Sequence, residues 1–238
     1  MEHLSFVLGG LAVLLAVISQ LLTGFGFAMV LVPLLLLLVA PADAVVTTAL
    51  LGTLLTTLQT LRDRTHVDRP MARSLMAWSL IGLPLGVLAM SVLSAEALRW
   101  TVVGVVLMAL FVILRNVAFS NTRANAALAG LSSGALLTST GINGPPLVAL
   151  VRSNQASMLR YRATLAAVFC GQGWLGLALF GLSGKINATT LSLSASGLVA
   201  LPIGVVIGER LFKYVDAQRL RRGIVAMLLL SLAVVVFR

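Results

Sequence analysis

Apolar runs separated by short polar breaks fill the whole chain. They cover roughly residues 4–22, 28–40, 44–61, 74–93, 100–114, 125–139, 145–151, 163–182, 190–207 and 223–237. A bilayer core about 30 Å thick takes about 20 apolar residues as a helix, and several runs approach that length. A transmembrane barrel needs alternating strands of about ten residues, and the chain has none. The pattern predicts an all-α polytopic membrane protein. Two breaks stand out, Thr23-Gly24-Phe25-Gly26-Phe27 and Thr140-Gly141-Ile142-Asn143-Gly144-Pro145-Pro146. The run after the first, 28–40, reaches only about 20 Å as a helix, too short to cross the core.

Composition supports this reading. The 238 residues are 59% hydrophobic and 10% charged, against about 25% charged in soluble domains. The net charge of +10 does not point to nucleic acid, because the basic residues lie in short loops between apolar runs, where they orient the chain in the membrane. Cys170 is the only cysteine, which excludes an intrachain disulfide or a thiolate metal cluster. Met1-Glu2-His3 lacks the basic start of a secretory signal, so 4–22 is expected to be a retained membrane segment.

The two halves of the chain resemble each other. Thr23-Gly24 matches Thr140-Gly141 at an offset of 117, and Thr47 matches Thr164 at the same offset. Leu83-Pro84-Leu85-Gly86 matches Leu201-Pro202-Ile203-Gly204 at 118. Each half closes alike, with AEALRWTVVGVVLMALFVILR against AQRLRRGIVAMLLLSLAVVVFR. A nearly constant offset is the mark of an internal repeat. The expectation is one membrane domain, 1–238, made of repeats 1–118 and 119–238.

Charge then sets the topology. If 4–22 and 28–40 form a hairpin that returns to its own face, the loops 62–73, 115–123, 152–162 and 208–222 share the opposite face. Those loops hold every Lys and Arg except Arg99, Lys185 and Arg238. A single crossing through 4–40 would split the basic loops between both faces. The positive-inside rule selects the hairpin and makes the basic face cytoplasmic. Each repeat is then one broken, re-entrant hairpin plus three crossings. The odd number inverts the second repeat, and both termini are expected outside the cytoplasm, in a multi-pass protein of the cell (inner) membrane.

Non-helical backbone within a membrane is tolerated where protein buries it or where it lines a wet cavity. Glycine allows the positive φ and close approach a tip requires. Pro145 and Pro146 suit a helix first turn, where a missing N–H costs nothing. The free N–H groups and positive dipole end of each returning half-helix point into the membrane. Two such ends, brought together by inverted symmetry, make an anion site without a buried cation. Broken helices at matching positions of inverted repeats are a recurring transporter arrangement.

The stretch TGINGPPLVALVRSNQASMLRYRATLAAVFCGQGWLGLALFGLSG resembles the second-half signature of the sulfite exporter TauE/SafE family of membrane permeases. Gly141, Gly144, Pro145 and Pro146 fit its glycine-proline turn, and Arg162, Ala163 and Thr164 its Arg-Ala-Thr helix start. Gly24, Gly26 and Pro33 match the first-half turn and its downstream proline. The turns here are poorer in glycine than is usual there. Phe25 and Phe27 flank Gly26, and Asn143 fills a glycine-like slot. The resemblance implies transport of small sulfur-containing anions such as sulfite or organosulfonates.

The candidate substrate-binding residues are Thr23, Gly24, Phe25, Gly26, Phe27, Thr140, Gly141, Ile142, Asn143, Gly144 and Pro145. Several have plain structural alternatives. The glycines ease helix packing. Asn143 caps the following half-helix or donates to a ligand. Thr23 and Thr140 bond back to their own helix or donate to an anion. Phe25 and Phe27 gate the site or pack on neighbouring spans. Gln20, Gln59 and Gln172 either bond between helices or line a pathway, since polar groups in membrane segments need partners. Arg152 and Arg162 snorkel or orient the chain, or draw anions inward.

No catalytic set is visible, and the carboxylates lie at segment ends or in loops. No enzyme activity, cofactor or metal is expected. The partners are a small anion and the lipid bilayer, with no nucleic acid. A secondary transporter between the two tips is the leading expectation. An anion channel or a non-transporting scaffold subunit is the alternative. An inside-negative potential favours anion export by about 2.3 kcal/mol per charge per 100 mV.

Overall fold

In the computed structural model, described for residues 2–212 with 225, 226 and 229, the chain is helical between short connections. The helices are α1 (Glu2–Thr23), α2 (Gly26–Leu35), α3 (Pro41–Asp63), α4 (Arg69–Val92), α5 (Ala95–Leu114), α6 (Arg123–Thr140), α7 (Gly144–Val151), α8 (Met158–Leu182) and α9 (Ala188–Phe212). A 3-10 turn, Arg152–Asn154, follows α7. The expected segment 223–237 lies outside the described residues apart from 225, 226 and 229.

Among the described residues, five helices, α3, α4, α5, α8 and α9, are long and apolar enough to cross a membrane. The protein is therefore an all-α, multi-span membrane protein. Both expected breaks are present. Gly24 has φ +87° and Gly141 φ +77°, so each helix before a break ends on a left-handed glycine. The broken-off helices are short, with ten residues in α2 and eight in α7, about 15 and 12 Å at 1.5 Å per residue. Helix α2 begins two residues before the expected run and stops at Leu35, because Gly26 and Phe27 already turn helically.

Side chains set most other helix starts. Asp68, Ser94, Thr122 and Ser157 each accept a backbone N–H in the first turn of α4, α5, α6 and α8, satisfying one of the four unpaired donors there. Pro84 and Pro202 lie inside continuous helices, α4 and α9.

Small residues let the helices approach closely. Helix α4 packs along α6, and α1 along α9. A Cβ on Gly82 or Gly86 would run into the Leu131 or Ala135 carbonyl of α6. Conversely, a Cβ on Gly134 would lie 2.7 Å from the Ser79 carbonyl of α4. Across the other pair, Gly204 faces Val17 and Gly208 faces Leu21. Helices α3 and α8 pack against each other and run antiparallel. Asp43 near the start of α3 meets Asn187 beyond the end of α8, while Asp68, beyond the end of α3, meets Arg160 near the start of α8.

Candidate functional site

A cavity of ≈ 40 Å³ lies where the two breaks meet α3 and α8. Phe25, Phe27 and Ala28 line it from the first break, and Gly141 and Asn143 from the second. Gln20 reaches it from α1, and Thr48, Gly52, Thr53 and Thr56 form a wall on α3. Leu137, Phe169 and Gly173 complete the lining. One water needs about 10–15 Å³ on this measure, so the cavity holds a ligand of a few non-hydrogen atoms. Among the described residues, no charged side chain lines it.

Gln20 organises the first break. Its Nε2 donates to the Gly24 carbonyl at 3.0 Å, and its Oε1 accepts the Phe27 N–H at 3.1 Å. The side chain is 2% exposed and also approaches Gln59 Oε1 at 3.5 Å. Gln172 organises the second break. Its Oε1 accepts from Asn143 Nδ2 at 2.7 Å, and its Nε2 donates to Ser79 Oγ at 2.6 Å and to Ser133 Oγ at 3.1 Å. Ser133 Oγ in turn donates to the Asn143 carbonyl. Asn143 makes no side-chain cap bond to α7; its amide is tied to α8 instead.

Thr23 and Thr140 behave alike. Each hydroxyl donates back to its own helix, Thr23 to the Ser19 carbonyl and Thr140 to the Leu136 carbonyl. Each also accepts a tip N–H, from Phe25 at 3.2 Å and from Ile142 at 3.3 Å. The N–H groups of Phe25, Phe27 and Ile142 are thus engaged within the protein. Pro145 and Pro146 have no N–H, so α7 begins with few free donors. Ala28 faces the cavity from the first turn of α2, where backbone donors lack intrahelical partners.

The other candidates divide by place. Gly24 packs on α8, where an added Cβ would lie 3.2 Å from Arg162 Cγ and 3.7 Å from Arg162 Cα. Gly141 packs against Val32 and against Val45 Cα. Gly26 is crowded by Ser19 Oγ. Gly144 rests on Phe25, which joins the two breaks. Ile142 is buried in the core, and Pro145 faces an apolar groove with α5. Arg152 is exposed on the 3-10 turn. Gln59 and Arg162 line a separate cavity.

Sequence reasoning missed the wall on α3. Thr48, Gly52 and Thr56 recur at i, i+4 and i+8 and share one helix face; that small-polar stripe is the signal that would have found them. Thr53 and Thr56 donate to carbonyls of their own helix. Thr48 is 2% exposed, and its Oγ1 has no hydrogen-bond partner. A buried hydroxyl without a partner costs about 1–3 kcal/mol, which a ligand in the cavity would relieve.

Residues 9–235 match the family described as Sulfite exporter TauE/SafE. The chain belongs to that family. Comparison with curated proteins and with solved structures returned no match. TauE/SafE proteins are membrane transporters, so this chain is a transport protein and not an enzyme. Thr164, near the start of α8, accepts the Asp68 N–H at 3.0 Å and so ties the α3–α4 loop to α8.

Proposed function

We propose that the protein is a secondary transporter of small sulfur-containing anions such as sulfite, bound in the cavity between the two breaks. One observation carries this reading. Residues of both breaks line the same uncharged cavity together with Thr48, whose buried hydroxyl lacks a partner. An anion there would meet that hydroxyl, the Asn143 amide and the first turn of α2, a set of oriented dipoles of the kind that holds anions without a cation.

Alternating access follows from inverted repeats, which we propose span 1–118 and 119–238. Two exchanged pairs support them. Gly24 packs on Arg162, and Gly141 packs on Val45; the offset of 117 that turns position 24 into 141 turns 45 into 162. Arg160 pairs with Asp68, and Asn187 with Asp43; position 43 becomes 160 at the same offset, and 68 becomes 187 at 119. Reciprocal contacts between equivalent positions are what a two-fold axis produces. The antiparallel course of α3 and α8, which are equivalent helices, fits an axis in the membrane plane. We place the arginine-rich face in the cytoplasm and both termini outside it. Electrical driving force makes export the favoured direction.

Proteoliposomes loaded with sulfite test this. Wild-type protein is expected to give saturable efflux with counterflow, and Thr48→Val and Asn143→Ala to reduce it about tenfold, the worth of one hydrogen bond to a charged group. Wild-type vesicles that release no sulfite, or efflux indifferent to both substitutions, would overturn the reading. Non-saturating currents would make the protein a channel.

A further inference from the structure

A second cavity of ≈ 80 Å³ opens beside the first, between the ends of α1, α3, α8 and α9. Its chemistry is the opposite of the central one. Arg62 and Arg162 line it, with Asp63, Glu209 and the Gln59 amide. The two cavities follow each other along α3. Thr56 lines the first, Gln59 and Arg62 the second, and each successive pair, three residues apart, is adjacent on the helix surface. Thr56 to Arg62 is a rise of about 9 Å. The junction is polar, because Gln20 of the first cavity approaches Gln59 of the second at 3.5 Å. Arg162 is also the residue on which the first break rests, through Gly24.

We propose that this second cavity is an anion-binding station on the arginine-rich face, in series with the central site. It takes small oxyanions, which match the forked donors of a guanidinium. This inference rests on the transport reading of the central cavity. Arg62 forms ion pairs with Glu209 and, at 3.7 Å, with Asp63. The carboxylates are therefore resident counter-charges, which neutralise the arginine while no anion is present. The Glu209 side chain is 38% exposed and that of Arg62 60%. A pair so open to water is weak, and Glu209 remains solvated when an oxyanion takes its place on Arg62. The exchange leaves the charge around Arg62 nearly constant. An anion then moves to the central cavity past the Gln59–Gln20 contact. Asp63 stays on the α3 side, and the α3–α9 link through Glu209 opens.

Equilibrium binding of radiolabelled sulfite to the purified full-length protein tests the station. Wild type is expected to bind two anions per chain, Arg62→Gln one, and Thr48→Val two, one of them about tenfold more weakly. Glu209→Gln removes the competitor but keeps Arg62, so it is expected to tighten the weaker site about tenfold. Stoichiometry unchanged in R62Q together with affinity unchanged in E209Q overturns the station. If R62Q does not fold, E209Q alone decides, and unchanged affinity there overturns it. A single wild-type site weakened in T48V and indifferent to R62Q and E209Q overturns the station but leaves the central site standing. A single site lost in R62Q and indifferent to T48V does the reverse.

Discussion

The carboxamide of Gln20 closes the first helix break by bonding to both of its sides, accepting the Phe27 N–H at 3.1 Å and donating to the Gly24 carbonyl at 3.0 Å. It takes the place of the backbone bonds that the break removes. One buried side chain therefore bridges the break, beside Thr23, which accepts the Phe25 N–H.

Gln20→Leu removes that bridge and keeps the side-chain volume roughly constant. It strands a buried donor and a buried acceptor, each worth about 1–3 kcal/mol. A clear drop in thermal midpoint is expected for the purified protein in detergent, with Gln20→Glu intermediate. A midpoint equal to wild type in Q20L would show that the hairpin holds without it.

Alanine at either tip glycine must adopt positive φ, at about 1–2 kcal/mol. The surroundings separate the two sites. At Gly24 the new Cβ meets the flexible Arg162 side chain at 3.2 Å, and at Gly141 it meets Val32 at 3.0 Å with Val45 Cα behind. Gly141→Ala is therefore expected to destabilise more than Gly24→Ala in parallel denaturation curves. Equal losses would mean that φ alone matters.

Gly82→Ala forces a methyl into the Leu131 carbonyl and pushes α4 off α6. Overpacking of this kind costs about 1–3 kcal/mol, here at the upper end because the obstacle is backbone. Gly104 on α5 has open space around it. Gly104→Ala is expected to hold or raise the thermal midpoint, since alanine is favoured in helices by about 1 kcal/mol. The contrast between the two variants is the readout.

Asp68 provides a pH signature outside the spans. Burial raises its carboxyl, but hydrogen bonds from Gln155 and the Met71 N–H, with the Arg160 charge, outweigh that effect and hold it below its ordinary value of 3.8. A depressed carboxyl stabilises the fold above the unfolded value and loses that contribution as pH falls through the folded value. Wild type is expected to lose stability on acidification below 3.8, and Asp68→Asn to show less of that loss. Parallel wild-type and mutant pH profiles would remove Asp68 from the cause.

The breaks were legible in the sequence because glycine beside threonine, repeated at one offset, is rare in apolar helices. Gln20 and Gln172 were legible as polar groups needing partners, though which atoms they bridge depends on packing. The α3 wall was not recognised. Thr48, Gly52 and Thr56 are common in membrane helices, and only the approach of both breaks gives that face a role. Arg62 and Glu209 read as loop and end charges, because the contact between α3 and α9 spans more than half the chain.

At the offset of 117, the counterpart of Gln20 is Leu137, and both line the central cavity. One wall offers hydrogen bonds, and its counterpart offers hydrocarbon. On the alternating-access proposal, a ligand facing first one gate and then the other meets unlike surroundings. Half-saturation measured from the two sides of the membrane should differ, with maximal rates differing in compensation so that the equilibrium distribution is untouched. On the inverted-repeat proposal, divergence at pairs such as Gln20/Leu137 and Thr56/Gly173, both lining the cavity, gives the carrier a front and a back.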